Sequence, residues 1–124
     1  MNFTSRIVAE PKGGTVSLTG DDLPLTGYFV GGVVAPLVVE ESEVWTSETR
    51  AKIDEFIAYL NSPSVGALYL GWWTDEDTGK LWIDGTSWRR SESEAGRLGR
   101  TRREIAIFDI ERQRELRLSY VEGE

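Results

Sequence analysis

Four tryptophans, Trp72, Trp73, Trp82 and Trp88, lie between residues 72 and 88 of this 124-residue chain, and six arginines follow at once: Arg89, Arg90, Arg97, Arg100, Arg102 and Arg103. An indole has a large apolar body and an N–H that is costly to bury without a partner, which makes tryptophan common where proteins meet other molecules. A guanidinium donates two parallel hydrogen bonds from a planar fork and so suits phosphate and carboxylate groups. The chemistry these residues favour is binding. One carboxylate, Asp84, stands between Trp82 and Trp88 on the same strand face, where an apolar setting raises a carboxyl pKa and suits it to general acid or base work. Asp109 is a candidate second carboxylate for such a pair.

Composition removes most other chemistry. There is no cysteine and no histidine, which excludes disulfides, zinc sites of the Cys/His type, imidazole-activated nucleophiles and histidine-ligated haem. The acidic turn Asp75 to Gly79 only superficially resembles a calcium loop: its sixth position is Lys80 where glycine is needed, and its twelfth is Thr86 rather than glutamate. At most it is a weak Asp75/Asp77 cation site. Gly31-Gly32 and Gly96 to Gly99 match neither a phosphate loop nor a dinucleotide fingerprint. No cofactor and no metal are expected.

The 14 basic and 21 acidic residues give a net charge of −7, distributed unevenly. Residues 1–88 carry 5 basic and 13 acidic side chains, whereas residues 89–117 carry 9 basic and 6 acidic ones. The basic stretch admits a nucleic-acid reading, with phosphate contacts from arginines and stacking on Trp88. Against it, a pI near 4.7 repels polyanions beyond the screening length of about 8 Å. A protein partner is therefore the first expectation, and nucleic acid the second.

These residues need elements to position them. Segments 66–73 and 80–88 read as a hairpin closed at Gly79, with Leu68, Leu70 and Trp72 on one face of the first strand and Tyr69 and Trp73 on the other. On the second strand Leu81 and Ile83 share a face, opposite Trp82, Asp84, Thr86 and Trp88. A helix over 47–61 is capped by Thr46 or Ser47 and carries an apolar stripe at Ile53, Phe56, Ile57 and Leu60. A second helix starts with a capping box at Ser91 and Glu94 and ends near Arg103, setting Arg97, Arg100 and Arg103 along one side. Strands follow at 104–110 and 115–120, joined by a turn without glycine, asparagine or proline. Residues 1–45 read as irregular β structure, with strand-like pieces at 3–9, 15–18, 28–30 and 33–39.

The expected fold is thus a single α+β domain: a mostly antiparallel sheet, two helices packed on it, and a ββαββ order over 66–120. The longest apolar run, 28–39, contains Gly31, Gly32 and Pro36 and is too short to span a bilayer, so no membrane association is expected. Nothing at the start resembles a signal peptide, which makes a cytoplasmic location the default. Leu23-Pro24-Leu25-Thr26-Gly27 fits a pattern that resembles a sortase signal, but without the C-terminal position and basic tail of one it reads as a turn into a strand.

Residues 70–84, from Leu70-Gly71-Trp72-Trp73 through the acidic turn to Trp82-Ile83-Asp84, together with the capped Arg/Glu helix and Glu104 to Ile110, resemble small uncharacterised proteins of actinobacterial phages and mobile elements. The resemblance implies an accessory or anti-defence protein that acts by binding a host component, and it carries over no known activity. The functional expectation is a non-enzymatic binding protein using Trp72, Trp73, Trp82 and Trp88 with Arg89, Arg90, Arg97, Arg100 and Arg103. Nucleic-acid binding through residues 89–103 and a carboxylate-based hydrolase are the alternatives.

Overall fold

The longest strand, β5, organises the molecule in this computed structural model, which describes residues 2–120. In chain order the elements are α1 (Phe3–Ala9), β1 (Gly13–Ser17), β2 (Tyr28–Val30), β3 (Leu37–Glu40), a 3-10 turn (Glu41–Glu43), α2 (Ser47–Leu60), β4 (Tyr69–Asp75), β5 (Lys80–Arg89), α3 (Glu92–Thr101), β6 (Ala106–Asp109) and β7 (Arg114–Arg117). One edge of β5 pairs with β4 from Lys80 to Thr86. Along its other edge Lys80 to Ile83 pair with β3, and Ser87 to Arg89 pair with β2. The order β1-β4-β5-β2-β6-β7, with β3 beside β5, is a seven-stranded, wholly antiparallel sheet.

The hairpin forms as its sequence dictates. Gly79 takes φ +71, closing the turn, and the amide of Asp77 donates to Asp75 Oδ1 at 3.0 Å. Alternation then separates two faces. Leu70, Leu81 and Ile83 are wholly buried with Trp72 against Ile53, Ile57 and Leu60 of α2 and Ile7 of α1. Val30 pairs across from Ser87, on the same side of β5 as Ile83, and packs with Ile107 and Ala95 of α3. All three helices therefore cover one face, each fully buried aliphatic side chain contributing about 1.5–3 kcal/mol.

Several expectations are corrected. Residues 3–9 form a helix, not a strand: Asn2 accepts from the Ser5 amide, and Phe3, Ile7 and Val8 make an i, i+4, i+5 stripe on the core. The described residues thus hold three α-helices rather than two. Residues 33–39 are strand only from Leu37 onward, because the 31–36 segment loops out where β5 changes partner from β2 to β3. The C-terminal elements do not make a unit of their own, since β2 lies between β5 and β6 and pairs with both. The turn 110–113 does without glycine because Gln113 takes φ +53 while buried Asp109 accepts from the Arg112 amide and guanidinium. The acidic terminal residues Glu122 and Glu124 lie outside the described residues. No helix among the described residues is long and apolar enough to cross a membrane.

Candidate binding face of the sheet

The face without helices carries the aromatic side chains. Trp73 and Trp82 are direct cross-strand partners and stack nearly parallel, ring centroids 6.4 Å apart at 14°, with Trp73 54% exposed. Val38, paired with Trp82, extends the same row onto β3. One step along the strands lie Thr15, Gly71 and Asp84, in register across β1, β4 and β5. Beyond them Phe29 packs on Tyr69 at 5.1 Å and pairs with Trp88 and Phe108.

A concavity of about 800 Å³ opens over this surface. Its floor includes Gly71, Asp84 and Thr86, its sides Trp73, Phe29 and Phe108, and its wall is the segment Leu23-Pro24-Leu25. The segment is tied down at its end: Trp88 Nε1 donates to the Thr26 carbonyl at 2.9 Å, and the Ile110 amide donates to the Gly27 carbonyl. Leu25 is nonetheless 84% exposed.

Asp84 is held from the side by a glycine turn. The Gly32 amide donates to its Oδ2 at 2.8 Å, while its Oδ1 is buried without a hydrogen-bond partner, as is the indole N–H of Trp82. A Cβ at Gly31 would lie 2.5 Å from Asp84 Oδ2 and 2.9 Å from Glu104 Oε1, so only glycine fits there and the two carboxyl oxygens are no farther apart than those distances combined. Burial pushes the Asp84 carboxyl pKa up, against the amides of Gly32 and Gly85 and the charge of Arg102. Burial, then the charge of Asp84, pushes Glu104 up as well. Arg102 donates to the carbonyls of Val30 and Gly31 and to Ser87 Oγ; burial, followed by neighbouring Arg89, lowers its pKa.

The residues singled out from sequence do not form one site. Trp72 is a core residue, 3% exposed with its N–H donated to the Glu10 carbonyl, because alternation turns it toward α2. Trp88 is half-buried and its N–H is satisfied by Thr26. Trp73 and Trp82 are the pair left on the open face. The arginines belong to the other side: Arg89 has the parity of Ile83 and Ser87 and donates to the Trp88 carbonyl, Arg90 and Arg97 are exposed, and Arg100 donates to the Ser119 carbonyl. The expected three-residue row breaks at Arg103, which follows the end of α3 and takes φ +60. The arginines of α3 make no ion pair among the described residues.

For hydrolytic chemistry, the carboxylate near Asp84 is Glu104. Asp109 is paired with Arg112 at 3.0 Å; its burial favours the neutral acid, but the Arg112 amide and guanidinium outweigh that and hold its pKa down. Glu104 does not line the concavity that Asp84 lines, so the two carboxyls do not flank that open space. Asp75 is committed to its own turn, and among the described residues no group of three or more carboxylates could hold a metal. Sequence reasoning missed Leu23, Leu25, Phe29 and Phe108; two exposed leucines around a proline after Asp21-Asp22 were the available signal. Comparison with known proteins finds no matching family model, no curated relative and no similar solved structure.

Proposed function

We propose that this is a non-enzymatic binding protein that takes a segment of another protein in the concavity of its open sheet face. The observation that carries the reading is Trp73, stacked on Trp82 and left more than half exposed in the lining of an 800 Å³ concavity that also includes the exposed Leu23 and Leu25. Exposed apolar surface of this kind costs solubility and is kept where a partner covers it. Aromatic anchors beside a pocket are the residues that dominate binding energy in protein interfaces. The arginines sit behind the sheet and are not part of this contact. An accessory role of the sort implied by the phage and mobile-element resemblance fits a protein that works by occupying its partner.

The test is selection of random twelve-residue peptides on the immobilised protein. Enriched peptides lose affinity to Trp73→Ala and to Leu25→Asp, and keep it with Arg97→Glu. Enrichment that is blind to Trp73 and Leu25, or no enrichment at all, removes the reading. A second reading, nucleic-acid binding, is favoured by the exposed guanidinium groups of Arg90, Arg97 and Arg103. Gel-shift titration at two salt concentrations separates the two, because phosphate contacts require a steep fall in affinity with salt.

A further inference from the structure

We infer that the segment seated in the concavity is a basic one, with a lysine or arginine side chain lying on the exposed Trp73 ring and its cationic head directed at the acidic lining that includes Asp84. This rests on the binding reading above and adds the chemistry of the partner. Three observations point to it. The charged side chains that line the concavity, Asp84, Glu111 and Glu115, are all acidic. The arginine-rich helix lies on the opposite face; Arg117, on the strand of Glu115, is outside the lining residues. The Trp73 ring, stacked on Trp82 and more than half exposed, lines the concavity with a face of negative π charge, and such a face attracts a cation.

Asp84 supplies the anchor. Its Oδ2 accepts from the Gly32 amide, and its Oδ1, which has no donor, is buried. Arg102, the cation nearest in the same cluster, commits its donors to Val30, Gly31 and Ser87 and forms no ion pair with Asp84. A charged donor entering from the concavity therefore meets, in its lining, a carboxylate that forms no ion pair within the protein, in partly desolvated surroundings where a charge-assisted hydrogen bond is strong. Glu111 and Glu115 at the rim attract the remaining positive charges of the segment and steer its approach.

The experiment titrates a blocked nonapeptide of alternating glycine and arginine, and the same peptide with glutamine for arginine, into the full chain, followed by calorimetry. The arginine peptide is expected to bind about tenfold more tightly than the glutamine peptide, and to weaken about tenfold in Trp73→Ala, Asp84→Asn and the double variant Glu111→Gln/Glu115→Gln. A charge-matched control on the far side, Glu48→Gln/Glu55→Gln on α2, should leave affinity within about twofold, as expected of charges beyond the screening length. Circular dichroism on every variant verifies folding, and the rim pair Glu111/Glu115, exposed on the surface, keeps the test open should Asp84→Asn unfold the chain. Equal loss in the control pair overturns the inference in favour of a diffuse acidic surface. Equal binding of both peptides, each lost in Trp73→Ala, overturns the basic partner while leaving the docking face intact. Indifference of both peptides to Trp73→Ala overturns both.

Discussion

The two faces of the sheet are built from the same strands and differ in every physical respect. On the helix side, Leu70, Trp72, Leu81 and Ile83 interlock with α1 and α2, and the one indole there has its N–H satisfied. On the open side the indoles stack on each other, one N–H and one carboxyl oxygen are buried without partners, and a leucine-bearing loop stands away from the sheet. The first face has the close packing and satisfied polar groups of a protein interior. The second leaves the Trp82 N–H and Asp84 Oδ1 without partners and more than half of Trp73 uncovered, the surface on which the proposed partner would sit. The difference teaches that tryptophan content alone does not mark an interface: adjacent residues Trp72 and Trp73 serve opposite purposes.

Substitutions can break or sharpen this contrast. The largest effect is expected from Ile83→Ala on the helix side, where a cavity beneath α2 should cost about 2–5 kcal/mol in urea unfolding. A cost below about 1 kcal/mol would mean that this face is not the core. Gly14→Ala comes next, because the added Cβ would stand 2.5 Å from the Trp72 ring; overpacking there should lower stability by about 1–3 kcal/mol.

The third effect is one of slope against pH. Asp84 and Glu104 both have folded pKa values above their ordinary 3.8 and 4.5, so the folded state binds protons that the unfolded state releases. Their ionisation opposes folding: the contribution is most favourable below the ordinary values and is lost as pH rises through the raised ones. Glu104→Gln should flatten this segment of the stability–pH curve, and an unchanged curve would show that neither burial nor the charge of Asp84 raises the Glu104 carboxyl. Asp109 has the opposite sign, its depressed pKa contributing stability that is lost as pH falls. The smallest effect is expected from Trp73→Ala, which forfeits an exposed stack of about 0.5–1.5 kcal/mol and should barely move the unfolding midpoint while weakening peptide binding about tenfold. If Trp73→Ala destabilised the fold as much as Ile83→Ala, the open face would be a second core.

Local rules made a good part of this legible. Thr46 and Ser91 accept from the amides three residues on, so both longer helices begin where their side chains specify. Period-two alternation separated Trp72 from Trp73 correctly because a strand cannot turn both neighbours the same way. The first helix escaped because Phe3, Ile7 and Ala9 fit alternation about as well as a helical stripe, and in seven residues the two periods differ little.

What the chain order by itself determined is the hairpin, the two capped helices and the list of chemistries that a protein without cysteine and histidine cannot perform. Only the tertiary structure decided which face the helices cover. That choice depends on α1 and α3 joining α2 on one side, and on β2 inserting between β5 and β6, contacts between residues far apart in sequence that no local pattern encodes. The same long-range closure put Glu104 rather than Asp109 beside Asp84, drew the Leu23–Leu25 loop over the sheet, and separated the arginines from the tryptophans that precede them.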